Sequence, residues 1–227
     1  MAKGLFVTGT DTGVGKTRVA AALLRGLSAQ GIRAAGMKPI AAGIDRRTGM
    51  NADVALLRAA GNVAAPRSDV NPYALDAAIA PHVAAAQQGV TIDLAVIAAA
   101  YARLAEHADA IVVEGAGGAL VPIDGRLDML DVARALELPV LLVVGVRLGC
   151  LNHARLSALA INARGLVLAG WAANRVDPAM RAADESVAML AATLPAPLVA
   201  DCPWSDGEAC PPIGDASLRV LGFASRG

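Results

Sequence analysis

Leu5-Phe6-Val7-Thr8-Gly9-Thr10-Asp11-Thr12-Gly13-Val14-Gly15-Lys16-Thr17-Arg18-Val19-Ala20-Ala21-Ala22-Leu23-Leu24 is the stretch on which the architecture of this chain turns. Residues 5–8 form a short, near-continuous apolar run, the pattern of a strand buried on both faces. Residues 16–30 then carry Val19, Ala20, Leu23, Leu24 and Leu27 on one helical face, and Gly31 supplies the stop. A strand that passes into a helix through a glycine-rich turn opens a βαβ unit, so a mostly parallel sheet with helices on both faces is expected.

The rest of the chain repeats the alternation. Further strands are predicted over residues 33–38, 110–114, 140–144, 167–172 and 198–200, each an apolar run bounded by Gly, Pro or charged residues. Helical periodicity predicts helices over 53–60, 77–87, 92–107, 127–136, 152–164 and 178–194. No internal repeat and no linker rich in Gly, Ser or Pro divides the sequence, so residues 1–227 are expected to form a single domain. The tail beyond Pro203 has no clear period, because Pro211, Pro212 and Gly214 interrupt it.

Composition narrows the function classes. Of 227 residues 56% are apolar and 18% charged, far from the regime in which a chain stays disordered. Lys plus Arg and Asp plus Glu each total 20, so there is no basic excess to neutralise a nucleic-acid backbone. Mean hydropathy is positive, yet runs such as 138–146 fall well short of the roughly 20 apolar residues of a spanning helix. The opening residues show no secretory pattern. Three cysteines, Cys150, Cys202 and Cys210, make neither a CxxC pair nor an even disulfide set, and they share no metal-ligand spacing with His82, His107 or His153. A soluble chain in a reduced cytoplasm, with no nucleic-acid or membrane partner, is the expectation.

Four segments carry chemistry. A phosphate chain needs backbone N–H donors, glycines that let the backbone approach, the positive end of a helix, and a Lys to reach the outer phosphates. Gly13, Gly15 and Lys16 supply these, and Thr17 offers a hydroxyl to a phosphate-bridging magnesium ion. Thr10 stands where the GxxxxGK[ST] spacing has its first glycine, with Gly9 one place earlier. The strand before and the helix after make this a phosphate-binding loop, and the expected fold is a single-domain α/β P-loop fold. Met37-Lys38-Pro39 ends the second predicted strand, where ligands of parallel sheets gather, although a solvated Lys fits the position as well. Asp109 to Gly118 delivers Glu114 from an apolar strand into a glycine-rich turn, as P-loop proteins present an acid to magnesium. Asp53 opens a helix, where it serves either a metal or the helix as N-cap.

Three segments are more ambiguous. Leu148-Gly149-Cys150-Leu151-Asn152-His153 begins a helix and reads either as an anion site or as a plain Asn cap. Trp171 to Arg175 and Pro203-Trp204 end strands with groups able to meet a purine, or with an ordinary buried Trp.

Taken together these residues resemble the dethiobiotin synthetase family over most of the chain. The run Gly9 to Thr17 matches that family's opening motif. Lys38-Pro39 with Gly43, Asp53, Val70-Asn71-Pro72-Tyr73, Pro81-His82, Val113 to Gly118, Gly149 to His153, Gly170-Trp171 with Asn174, and Pro195-Ala196-Pro197-Leu198 with Pro203-Trp204 follow in order. The resemblance implies ATP as co-substrate, 7,8-diaminopelargonate and carbon dioxide as substrates, Mg²⁺ as cofactor, and a homodimer. By carry-over Lys16 and Lys38 are catalytic, and Thr17, Asp53 and Glu114 hold magnesium. Gly13, Val14, Gly15, Gly115, Ala116, Gly117, Asn174, Arg175, Pro203 and Trp204 join them around the nucleotide. Thr12, Lys38, Ala42, Gly118, Gly149, Cys150 and Asn152 face the diamine, the turn at Gly149 being lent to the neighbouring subunit. Two positions depart from the family: Ala42 replaces a Ser or Thr, and the family's late adenine-side acid falls on Cys210, or on Glu208 after a two-residue gap.

A rival class is the dimeric P-loop switch ATPase of the partitioning type. Such proteins carry an additional Lys early in the phosphate loop, where this chain has Asp11.

Overall fold

A computed structural model describes residues 2–206 and 209–223. Its elements run β1 (Lys3–Gly9), α1 (Lys16–Ala29), β2 (Ala34–Met37), β3 (Ile40–Ala42), α2 (Ala52–Ala60), α3 (Arg67–Val70), β4 (Tyr73–Leu75), α4 (Pro81–Gln87), α5 (Leu94–His107), β5 (Ala110–Glu114), α6 (Met129–Ala135), β6 (Val140–Val146), α7 (Cys150–Ala163), β7 (Leu168–Arg175), α8 (Ala183–Thr193), β8 (Leu198–Cys202) and α9 (Asp215–Val220). Among the described residues, six strands form a sheet in the order β2-β5-β1-β6-β7-β8, parallel throughout.

The sheet separates two cores, as apolar strands without alternation require. In β1 Leu5 and Val7 pack toward α1 and α9, while Phe6 points to the opposite side. In β6 Leu141 and Val143 join the first side, and Val140, Leu142 and Val144 the second, where α5, α6, α7 and α8 lie. Each inward residue thus has a helix to cover it, and removing apolar area from water at about 25 cal/mol per Å² stabilises both layers.

The predicted strands and helices all appear, with shifted ends. The helix expected over 77–87 begins at Pro81, which the fixed φ of proline suits as a first helical residue. The one expected over 178–194 begins at Ala183, and Val167 lies outside its strand. Two short strands escaped sequence reading: β3 and β4 pair in parallel, Ile40 with Tyr73 and Ala42 with Leu75. Three residues are too few for a period to register.

The tail is anchored rather than periodic. Ile213 donates its N–H to Ala22 O at 3.1 Å and lies so close to α1 that a Cβ on Gly26 would meet Ile213 O at 2.2 Å. Cys202 and Cys210 form a disulfide, which corrects the reading of the three cysteines as no disulfide set in a reduced compartment. Their Cα atoms lie 5.6 Å apart, while Cys150 stays free and buried. Glu208 lies outside the described residues.

Candidate active site

The phosphate loop joins β1, in the middle of the sheet, to the N-terminus of α1. Gly13 and Gly15 both hold left-handed φ values, 73° and 85°. Gly15 is doubly constrained, since a Cβ there would also lie 2.1 Å from Asn174 Nδ2. The loop is pinned from the neighbouring strand: Thr10 N–H donates to Val143 O at 2.9 Å, and Gly145 N–H to Thr10 Oγ1 at 3.3 Å. At its tip Asp11 Oδ1 accepts from the Thr12 N–H, and Asp11 Oδ2 meets the Arg147 guanidinium at 2.5 Å.

Three charged side chains converge beside this loop from three elements. Lys38 follows β2 and is only 4% exposed, so the solvated alternative does not hold. Its Nζ lies 2.5 Å from Glu114 Oε1 and 3.1 Å from Asp53 Oδ2. Glu114, at the end of β5, is 1% exposed, and its Oε1 also accepts from Thr17 Oγ1 at 2.9 Å. Its other oxygen, Oε2, is buried without a hydrogen bond among the described residues. Asp53 is not the N-cap of α2. Asn51 caps that helix, its Oδ1 accepting from the Asp53 and Val54 N–H groups at 2.9 and 3.4 Å, which leaves the Asp53 carboxylate for Lys38.

The glycines after Glu114 have steric causes. A Cβ on Gly115 would meet the Phe6 ring at 2.9 Å, and Gly117 combines a φ of 66° with Val121 at 2.6 Å. The backbone can therefore fold back under the loop only where side chains are missing.

Electrostatics follow from burial. Lys16 is enclosed, and burial lowers its ammonium to about 8, Glu114 opposing and the Lys38 charge assisting that shift. Its Nζ donates to Asp11 O at 3.0 Å. Burial also acts to lower Lys38, but Glu114 and Asp53 outweigh it and hold the ammonium above its usual value. Burial pushes the Glu114 carboxyl up, against the pull of Lys38. Two carboxylates face one ammonium, and their charge favours the protonated form of Lys38.

These residues border one cavity of about 810 Å³. Thr12, Gly13, Gly15, Lys16 and Thr17 line one wall, and Lys38, Ala42, Asp53, Glu114, Ala116 and Gly117 line another. Val14 is buried beneath the loop. Arg18, Leu56, Ile79 and Val121 also line the cavity and were not singled out by sequence, since apolar and helical residues carry no motif. Gly118 instead lines a smaller cleft of about 330 Å³ with Thr10, Thr12, Leu120 and Leu156.

The remaining expected residues lie apart from the main cavity. Arg175 and Trp204 line another cleft of about 410 Å³ beyond β7, where Arg175 binds Asp201 and Asp184. Asn174 is buried beside Gly15, and Pro203 is exposed at the end of β8. At the start of α7 Gly149 is the N-cap with φ 94°, Cys150 is buried and Asn152 is exposed, so Asn152 does not cap the helix. Leu148, Leu151, Leu156 and Leu159 expose apolar surface around this turn.

A family model described as "AAA domain" matches residues 3–208. Over 208 residues the chain is 52% identical to "ATP-dependent dethiobiotin synthetase BioD" of Nitrosospira multiformis, covering 92% of this chain and 91% of that protein. The chain belongs to the dethiobiotin synthetase family. A second member of the dethiobiotin synthetase family, from Aromatoleum aromaticum, is 51% identical over 219 residues, covering 96% of this chain and 97% of its own. Solved structures resemble the chain in fold at much lower identity. Chloroplast FtsY of Physcomitrella patens is 18% identical with a TM-score of 0.56, covering 97% of this chain and 65% of that one. A ParA family ATPase of Chlorobium tepidum TLS is 15% identical with a TM-score of 0.54, covering 99% and 91%. These likenesses place the dethiobiotin synthetase fold among P-loop proteins and carry no more than that.

Proposed function

We propose that the chain is an ATP-dependent dethiobiotin synthetase, a ligase that closes the ureido ring of dethiobiotin from 7,8-diaminopelargonate and carbon dioxide. The observation that carries this reading is the meeting of Lys16, Lys38, Thr17, Asp53 and Glu114 at one cavity beside a glycine-rich loop. The partitioning-type ATPase is the weaker reading, because the likeness to those proteins is one of fold alone.

One diamine nitrogen adds to carbon dioxide and loses a proton to give a carbamate, whose oxygen attacks the γ-phosphate of ATP and displaces ADP. The mixed carbamic-phosphoric anhydride is then attacked by the second nitrogen, phosphate leaves, and the ring closes. Lys16 and Lys38 place positive charge where the transferring phosphoryl oxygens gather it, the dominant contribution in such transfers. The loop amides of Gly13 to Lys16 hold the phosphate chain in line. Holding both nitrogens on one carbon chain makes closure intramolecular, with effective concentrations on the order of 10⁵–10⁸ M.

Magnesium suits the donor set. Thr17, Glu114 and Asp53 offer hard oxygens, and the buried Glu114 Oε2 without a hydrogen bond fits a cation. When bound, the ion would neutralise phosphate charge. Among the described residues no group of three or more His, Cys, Asp or Glu is placed to hold a metal ion by itself. Asn174, with Arg175, Pro203 and Trp204 nearby, takes the adenine side. Thr12, Ala42 and Gly118 take the diamine. Exposed leucines around Gly149, Cys150 and Asn152 support a homodimer in which that turn reaches the partner's substrate. We read residues 1–227 as one ATP-binding domain acting in the cytoplasm. No helix among the described residues is long and apolar enough to cross a membrane.

Mass-spectrometric detection of dethiobiotin from diaminopelargonate, bicarbonate, magnesium and ATP tests the reading. ATP hydrolysis indifferent to the diamine, with no dethiobiotin formed, would overturn it.

A further inference from the structure

Arg18 follows the Gly15-Lys16-Thr17 turn directly and sits in the first turn of α1. A cation there opposes the positive end of the helix. The position is nevertheless engaged across the molecule: Arg18 Nη1 donates to Asn174 Oδ1 at 2.7 Å, and Nη2 donates to Ser205 Oγ at 2.8 Å. Asn174 lies near the end of β7 and Ser205 beyond β8, so one guanidinium joins the phosphate loop to both strand ends. The other end of the amide, Asn174 Nδ2, donates to Val14 O at 2.9 Å inside the loop itself.

These two contacts fix which way the amide faces. A guanidinium can only donate and a carbonyl can only accept, so Arg18 demands the oxygen on its side and Val14 demands the nitrogen on its own. An amide has two N–H donors and two oxygen lone pairs, and one of each is thereby left to offer. Adenine presents an N6–H donor beside the N7 acceptor, whereas guanine presents two acceptors, O6 and N7, on the same edge. An adjacent donor and acceptor satisfies the first edge and sets lone pair against lone pair on the second.

The geometry points to Arg18 as a positioning residue that makes the site select adenine over guanine, by fixing the Asn174 amide and tying Ser205 to the phosphate loop. This rests on the reading of Asn174 as the residue that meets the base.

The test compares wild type, Arg18→Met, Asn174→Ala and the double variant in the full chain, with Kd for ATP and for GTP from calorimetry and KM from dethiobiotin formation. Met keeps an aliphatic stem and removes the donors. Wild type is expected to prefer ATP, and Arg18→Met to weaken ATP about tenfold, the scale of a hydrogen bond to a charged group. GTP should move by less than about twofold, and KM should change more than kcat. The double variant should be no less selective than Asn174→Ala alone, because the two residues act as one unit. Equal weakening of both nucleotides, additive losses, an unchanged Kd for ATP, or a wild type indifferent to the base would overturn the inference. If Arg18→Met does not fold, Arg18→Lys carries the test, since one ammonium cannot replicate the fork: an intermediate ATP:GTP ratio supports the inference and an unchanged ratio overturns it. Absence of dethiobiotin from wild type with either nucleotide would instead overturn the proposed function, while the calorimetric ratio still judges Arg18.

Discussion

Lys16 is a charge held inside the protein beside the glycine-rich loop, only 7% exposed. Its ammonium, lowered to about 8 by burial, binds fewer protons in the folded chain than in the unfolded one between about pH 8 and 10.5. A base with a depressed folded value opposes folding below that window, and the penalty fades as pH rises through it. We therefore expect Lys16→Met to raise the stability of the nucleotide-free chain at pH 7 by on the order of 1–3 kcal/mol and to abolish turnover. Urea melts and a dethiobiotin assay check both, and a variant that is both destabilised and active would contradict the assignment. Wild type should also take up protons on binding ATP near pH 9, because phosphates restore the charged form; calorimetry in buffers of different ionisation enthalpy measures this. At Ala42 the hydroxyl usual in the family is missing, and Ala42→Ser should lower KM for the diamine by roughly two- to tenfold, the worth of one neutral hydrogen bond. Its kcat should hardly move. Lys16, Lys38 and Glu114 were legible in sequence because motif and strand end coincide. Arg18 and Asn51 were not, since a helical Arg and a polar loop residue take their meaning from partners far away in the chain.

At the scale of elements, the small β3–β4 ladder explains how Lys38 is aimed. Asn71, buried beside it, donates from Nδ2 to Lys38 O at 2.8 Å and to Tyr73 O at 3.0 Å, and Lys38 N–H donates to Val70 O at 2.8 Å. Asn71→Ala would strand two buried carbonyls, at about 1–3 kcal/mol, and loosen the backbone that presents Lys38. We expect a lower denaturation midpoint together with a fall in kcat, and a loss of stability with unchanged kcat would show that the ladder does not position the lysine. The six main strands could be read from sequence because apolar runs between turn signals are distinctive. The ladder and the tail could not, one being too short for a period and the other held by single hydrogen bonds and a disulfide to distant partners.

For the molecule as a whole, the glycine-rich loop, Lys38 and Glu114 lie at the carboxyl ends of β1, β2 and β5, so they meet only once these strands have paired. β1 lies between β5 and β6, and neither neighbour precedes residue 110. Such pairing closes long loops before it gains contacts, which slows folding. On the ribosome, where domains form as the chain emerges at about 5–20 residues per second, the phosphate loop is made early and must wait for most of the protein. Arrested nascent chains exposing only residues 1–109 should be cut readily by protease between Gly9 and Lys16, and chains exposing residues through 146 should resist. In the interval the apolar first strand has no partner strand, and that is the stage of synthesis at which a chaperone would have something to hold.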